Sequence, residues 1–205
     1  MESLGKISAR FEKICFAIDK RIEYALKIYS SNDVISKSII SFCVIKLHDQ
    51  WNARCRELIL KSAMGNYKTL SGRILPRSAT INPLQQLRKT WSTRKSMEVS
   101  WEPDWHVPNV SVRAAQLLRI ANYNEVSNAI SALTIIDDLR WTRNAIAHEL
   151  PLTYQMFHNN QSARFGPPRY SPSDYAIQRI PRTPNIIIID NWITELKLAL
   201  RAAVR

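Results

Sequence analysis

Glycine is scarce in this chain, and several familiar nucleotide sites cannot be built without it. The 205 residues contain four glycines, Gly5, Gly65, Gly72 and Gly166. No two of them have the spacing of a dinucleotide-binding GxGxxG loop or of a phosphate-binding GxxxxGK loop. The sequence therefore excludes both of these nucleotide-binding motifs.

Signatures of metal sites and disulfide frameworks are missing as well. The cysteines are odd in number and form no CxxC pair, and the histidines form neither HxxxH nor HExxH. The cysteines are Cys15, Cys43 and Cys55, and the histidines are His48, His106, His148 and His158. We therefore expect reduced, mostly buried thiols in a cytoplasmic protein, with no metal ion and no cofactor.

Long apolar runs are also absent. The most apolar stretch, "SIISFCVIKL" at 38–47, is interrupted by Lys46 and is far shorter than the roughly 20 residues of a membrane-spanning helix. The first residues, "MESLGKISARFEK", are charged and lack the apolar run of a signal peptide. We expect no membrane association.

Acidic residues are too few to balance the basic ones. Against 17 Asp and Glu stand 29 Lys and Arg, which gives a formal net charge of +12. Such an excess favours association with polyanions, so we predict a nucleic-acid partner; a basic surface kept for solubility is the alternative. Since hydrophobic residues make up 45% of the chain, a single folded domain over 1–205 is expected.

What the chain has in abundance is helical periodicity, which predicts an all-α bundle. Apolar residues recur at three- and four-residue steps over 4–30 and again over 34–64, so two long N-terminal helices are expected. A third long helix is predicted over 125–150 and is expected to end before Pro151. A basic amphipathic helix over 190–205 closes the chain.

Between these helices the pattern is less regular. Residues 65–110 are an irregular basic insertion, in which a helix is predicted to start at Asn82, and another short helix follows at 111–121. Residues 151–184 contain six of the ten prolines and are expected to form a long, loop-like arm. "NIIIID" at 185–190 is a candidate extended segment.

Several polar and aromatic residues leave alternatives open. Trp101, Trp105 and His106 could stack on bases, although packing of their loop onto the bundle is the favoured interpretation. His48 and Arg56 could line a cleft, but we favour side chains that face solvent or an interface.

The segment "LRWTRNAIAHEL" at 139–150 carries the strongest candidate site. On a helix, Arg143 and His148 are 140° apart around the axis and about 7.5 Å apart along it. The sector between them holds Arg140, Asn144 and Ala147, a polar surface with a small floor that suits a phosphate or a facing helix. The axial separation is a difficulty for a site within one chain, and two chains that share each phosphate would remove it.

"RNAIAH" resembles the signature of the HEPN superfamily, in which an Arg and a polar residue, often Asn, precede a His near the end of a helix. The match covers Arg143, Asn144 and His148, and the long helices before it fit a HEPN-like bundle. The resemblance implies a metal-independent endoribonuclease that pairs as a homodimer, so that two motifs face one RNA-binding cleft.

In the chemistry that this resemblance implies, His148 is the general base on a ribose 2′-hydroxyl. Arg143 holds the scissile phosphate, Asn144 orients Arg143 or the phosphate, and Arg140 is a second phosphate contact. The products would be a 2′,3′-cyclic phosphate and a 5′-hydroxyl, and DNA would not be cut. Further RNA contacts are expected from basic residues of the insertion, namely Arg88, Lys89, Arg94 and Lys95.

Relatives of this kind often act as toxins of toxin–antitoxin pairs or as phage-defence effectors. The resemblance therefore implies an antitoxin partner, which could be a small nucleotidyltransferase-like protein. Three alternatives remain: a HEPN module that binds RNA or a nucleotide without cleavage, a helical adaptor or antitoxin that binds a protein, and a purely structural Arg–His pair at a helix end, favoured by the helix dipole.

Overall fold

Helices make up most of the chain, which confirms the predicted all-α class. The computed structural model describes residues 2–30, 33–148, 150–166, 170–181 and 183–205, without the side chain of Arg164. In these ranges the helices are α1 (Gly5–Ile28), α2 (Asp33–Met64), α3 (Pro83–Thr90), α4 (Pro108–Leu117), α5 (Tyr123–Ser131), α6 (Ile136–His148), α7 (Pro151–Phe165), α8 (Pro172–Ala176) and α9 (Ile188–Ala203), with a short 3-10 helix at Arg94–Met97.

Strands are short and few among these described residues. β1 (Glu2–Ser3) pairs in parallel with β2 (Tyr67–Lys68), and β3 (Arg179–Ile180) pairs antiparallel with β4 (Thr183–Ile187). Within the described residues, no helix is both long enough and apolar enough to cross a membrane.

The chain divides into two compact units. Unit 1 comprises Met1–Glu12, Trp51–Thr134 and Leu196–Arg205, and unit 2 comprises Lys13–Gln50 and Ile135–Glu195. The single domain expected over 1–205 stays a prediction.

Unit 1 has a core built on the first turns of α1 and the second half of α2. Phe11 and Trp51 meet edge to face with ring centroids 6.2 Å apart, and both are buried. Hydrogen bonds tie the C-terminal residues to this unit. Among them, the Leu70 amide donates to the Val204 carbonyl at 2.7 Å, and the Asn122 side-chain amide donates to the Ala203 carbonyl at 3.3 Å.

Unit 2 contains the motif-bearing helix α6, and its core is rich in aromatic side chains. Phe157 on α7 meets Tyr175 on α8 edge to face at 5.4 Å, and Tyr175 lies 6.4 Å from Trp192 on α9. All three side chains are fully buried. The edge-to-face pair of Phe157 and Tyr175 stabilises this core beyond the area that it buries.

The long helix predicted over 125–150 is wrong, because the structure has two helices there. α5 ends at Ser131 and α6 begins at Ile136. Asp137 and Asp138 lie in the first turn of α6, where carboxylates are favoured by the positive end of the helix dipole. These acidic residues therefore indicate the start of a helix, although the spacing of the apolar residues continues without a break from 125 to 150.

The loop-like arm predicted at 151–184 is also wrong over most of its described length. Pro151 begins α7 as a first-turn proline, which lacks only an N–H that the helix leaves unpaired there anyway. Pro172 does the same for α8, which Ser171 caps by accepting from the Asp174 amide. Part of the arm, 167–169 and 182, lies outside the described residues.

The smaller elements agree better with expectation. Asn82 caps α3, since its side-chain oxygen accepts from the Leu84 amide at 3.0 Å. α4 begins a few residues earlier than predicted, at Pro108. The segment 185–190 is only half extended, because α9 already begins at Ile188.

Candidate active site

Helix α6 presents a buried face and a polar edge. Ile136, Leu139 and Ala145 are buried within unit 2. Arg143 and Asn144 are partly exposed, and His148 is exposed at the last residue of the helix. The motif therefore lies at the end of a well-packed helix, where a ligand can reach it.

Asp138 fixes the first turns of α6 to three neighbouring helices of unit 2. Its side chain is 6% exposed. Its Oδ1 accepts from the Tyr175 hydroxyl at 2.6 Å and from the Asn160 amide at 2.6 Å, and its Oδ2 accepts from Trp192 Nε1 at 3.0 Å. A buried carboxylate with several donors is a rigid anchor, because each lost bond would leave a desolvated charge.

Asp138 is not among the site residues predicted from the sequence, although the sequence contains a signal for it. Asp138 stands three residues after Ile135 and four before Thr142, both of which are buried. An acidic residue in line with the apolar stripe of a helix is rarely placed there without partners. The partners themselves come from α7, α8 and α9, which no local pattern connects to α6.

Arg143 and His148 are brought together within one chain. Arg143 Nη1 lies 3.2 Å from His148 Nε2 and 3.3 Å from the Asn144 Oδ1 that accepts from it. The long Arg side chain spans the axial rise that the sequence analysis treated as a difficulty. The two side chains therefore meet within one chain, and the pairing of two chains at the site stays a prediction.

This contact shows which ring nitrogen of His148 faces the guanidinium. A guanidinium has N–H donors and no acceptor, so His148 Nε2 is the acceptor of the bond and carries a lone pair. A general base requires that same Nε2 lone pair, so the guanidinium must leave it before the ring can take a proton.

Asp49 is a second residue that the sequence analysis missed. Its Oδ1 lies 3.8 Å from Arg143 Nη2, and its side chain is 52% exposed. The neighbouring His48 places Nδ1 3.5 Å from the same carboxylate. The expectation of a solvent- or interface-facing His48 was wrong, because this residue is 5% exposed.

Arg140 is held by its own neighbours on α6. Its Nη2 forms an ion pair with Asp137 Oδ1 at 3.0 Å, and its guanidinium lies over the Trp141 ring at 4.6 Å. An arginine fixed in this way can offer its remaining N–H groups to an anion with little loss of side-chain freedom. Its predicted contact with a phosphate stays a prediction.

Three of the four basic residues predicted in the insertion line one cavity of unit 1. The cavity measures about 740 Å³, and Arg88, Lys89 and Arg94 contribute to its wall together with Trp91. Lys95 is exposed but is not among the lining residues.

The loop residues that could have stacked on bases pack inward instead. Trp105 is 2% exposed and donates from Nε1 to Glu102 at 3.3 Å, and Trp101 is also buried. Arg56 is engaged by Glu102 through two bonds of 2.8 and 2.9 Å. Packing of this loop, the favoured interpretation, is confirmed for the two tryptophans.

The cysteines are free and buried, as predicted. Burial raises the pKa of the Cys43 thiol to about 11, and burial also raises the pKa of Cys55. Both are therefore protonated at neutral pH and poor nucleophiles. The residues that the structure describes contain no group of three or more His, Cys, Asp or Glu suited to a metal ion.

Comparison of the chain with protein-family models, with curated proteins and with solved structures gave no match. The functional assignment therefore depends on the geometry of α6 and on the motif itself.

Proposed function

We propose that this protein is a metal-independent endoribonuclease that cleaves RNA through attack of a ribose 2′-hydroxyl. The observation that supports this most is the contact of 3.2 Å between Arg143 Nη1 and His148 Nε2. It places an imidazole, the candidate general base, beside a permanent cation at an exposed helix end. RNA supplies a group for each of them, a hydroxyl for the base and a phosphodiester for the cation.

In the proposed reaction, His148 Nε2 takes the proton of the 2′-hydroxyl as its oxygen attacks the adjacent phosphorus. The bond from phosphorus to the 5′-oxygen of the next nucleotide then breaks, and that oxygen takes a proton from water. The hydroxide left behind takes the proton from His148, which restores the base. The products are a 2′,3′-cyclic phosphate and a 5′-hydroxyl. A positioned base of this type contributes about 10² to 10⁴ in rate.

Arg143 acts on the phosphate in this scheme. As the substrate enters, its guanidinium turns from His148 Nε2 to the phosphoryl oxygens, where it stabilises the charge that builds up in the transition state. The same movement frees the Nε2 lone pair. Asn144 holds the guanidinium from its other side, and Arg140 offers a second phosphate contact.

We propose that the active form is a homodimer in which two such motifs serve one cleft. The positive charge of the chain, +12, suits a long polyanionic substrate. The biological role that fits is a toxin of a toxin–antitoxin pair or a phage-defence effector, restrained by an antitoxin that could be nucleotidyltransferase-like.

A second candidate is an RNA- or nucleotide-binding module that does not cleave. The same contact favours it, because Arg143 occupies the lone pair that a base must have free. If a bound phosphate fails to draw the guanidinium away, the site binds RNA and stays inactive.

The decisive experiment incubates single-stranded RNA and DNA of the same sequence with the protein in EDTA. The proposal predicts cleavage of RNA alone, with cyclic phosphate ends, and loss of cleavage in His148→Ala and Arg143→Ala. Binding by the unaltered protein without any product would favour the non-cleaving module. Cleavage by the variants at the rate of the unaltered protein would mean that Arg143 and His148 are not part of the active site.

A further inference from the structure

The cavity of unit 1 is lined by both cations and apolar side chains, a combination that suits a ligand with anionic and apolar parts. Arg88, Lys89 and Arg94 line it together with Trp91, Met97 and Val99. Met97 is 83% exposed and Val99 is 85% exposed. Large apolar side chains this exposed beside cations are typical of surfaces that bind a partner with both apolar and anionic parts.

Two of the three cations of the cavity have no ion-pair partner among the described residues. Lys89 and Arg94 are exposed and form no ion pair with any residue in the described part of the chain. No Asp or Glu is among the described residues that line the cavity. The third cation, Arg88, is close to Glu102: the Arg56 guanidinium binds that carboxyl and lowers its pKa, and the charge of Arg88 lowers it further.

Two of the lining side chains are fixed in place. Arg88 donates from Nε to the Trp101 carbonyl at 2.9 Å, which leaves its terminal N–H₂ groups for a ligand. Trp91 lies 5.3 Å from the Trp101 ring and beneath the Arg113 guanidinium at 4.8 Å. The cavity thus offers a positioned aromatic ring and a positioned guanidinium. Binding of a ligand therefore costs little side-chain conformational entropy at these two residues.

We propose that this cavity binds one base of a single-stranded RNA together with the phosphates on either side of it. The base packs on Trp91, Met97 and Val99, and the phosphates meet Arg88, Lys89 and Arg94. A flat apolar group between two anions is the chemistry of a nucleotide in a strand, and stacking on an aromatic ring tolerates any base sequence. The choice of RNA rather than DNA rests on the proposed function.

The test is a fluorescence titration with a single-stranded RNA octamer, on protein that carries His148→Ala so that no RNA is consumed. RNA should quench tryptophan emission, and most of the quench should vanish in Trp91→Phe, which keeps an aromatic ring in the wall. A quench of unchanged size in Trp91→Phe would overturn the proposal, because the base would then lie elsewhere.

Charge reversal gives a second, independent measurement. Lys89→Glu/Arg94→Glu should weaken binding about 10- to 100-fold. The fall of log K with log salt should become less steep by about 1.4, which is about 0.7 for each of two lost phosphate contacts. Lys6→Glu/Lys68→Glu is the matched control: it changes the net charge equally at two exposed lysines of unit 1 outside this cavity, and its affinity should stay within about twofold. Equal weakening by both pairs would mean that only net charge matters.

These readouts are separable from cleavage. On the chain with His148 intact, Lys89→Glu/Arg94→Glu should raise KM and leave kcat unchanged. If no RNA is ever cut, the titration still decides whether the cavity binds it. If RNA is cut but the cavity variants bind as the unaltered protein does, the ribonuclease stands and this inference fails.

Discussion

The two basic regions of this protein differ in whether their cationic side chains have partners. On α6, Arg143 contacts His148, Asn144 and Asp49, and Arg140 is paired with Asp137. In the cavity of unit 1, Lys89 and Arg94 have no ionic partner among the residues the structure describes. The first arrangement fixes the geometry of a few groups, and the second leaves positive charge available.

This difference separates two jobs that a basic protein can do with RNA. Cations that neighbours hold close to a reacting group can stabilise the charge of one transition state once the substrate is bound. Cations that are unpaired contribute affinity that depends on salt and is indifferent to sequence. Variants of α6 should therefore change kcat, and variants of the cavity should change binding.

The largest expected effect is that of His148→Ala. Loss of the base should lower kcat for RNA cleavage by about 10² to 10⁴ and leave RNA affinity within about twofold. The measurement is single-turnover cleavage beside a binding titration. The matched control is His158→Ala, a partly buried histidine of the same unit, which should cleave like the unaltered protein.

Arg143 should be the next most sensitive position. Arg143→Ala should lower kcat by about 10² to 10³, the range found when one charge-stabilising donor is removed. Arg143→Lys should restore little of the lost kcat. An ammonium lacks the planar set of N–H donors with which a guanidinium can bind Asn144 and a phosphate at the same time. Full activity in the Lys variant would show that only the charge matters.

The anchor of α6 can be tested through stability. Asp138→Asn should lower the free energy of unfolding by about 3 kcal/mol. Its side chain lies among three hydrogen-bond donors, and the NH₂ group of an Asn side chain cannot accept from them. Its neighbour Asp137→Asn removes a carboxylate that is 65% exposed and should change stability by less than about 1 kcal/mol. Urea unfolding of both variants measures the contrast, and similar losses would argue against a special role for Asp138.

The smallest expected effect concerns Asp49. Asp49→Asn removes a carboxylate close to Arg143 that repels an incoming phosphodiester, so KM should fall by up to about fivefold, the scale of an exposed ion pair. Steady-state cleavage at low salt is the measurement. A rise in KM would instead mean that Asp49 holds Arg143 in its productive position.

The sequence predicts local features of this fold better than its long-range contacts. The repeats of apolar residues place α1 and α2 within a few residues, and Asn82 followed by Pro83 marks the start of α3. The break before α6 was missed because the buried residues on both sides keep the same spacing. Pro151 was interpreted as a terminator, although a proline equally begins a helix.

The candidate site follows the same division. Arg143, Asn144 and His148 are close in sequence, so a motif can indicate them. Asp49 and Asp138 gain their meaning from contacts across 94 and 22 or more positions of the chain, which no local pattern carries. Such contacts become visible only once the helices are packed.

The most direct test of the central claim uses an RNA with a single 2′-deoxyribose at a mapped cleavage position. If the 2′-hydroxyl is the nucleophile, cleavage should disappear at that bond alone, while neighbouring bonds are cut and end in cyclic phosphates. Cleavage that persists at the deoxy position would mean that water attacks the phosphorus, and it would contradict the role proposed for His148.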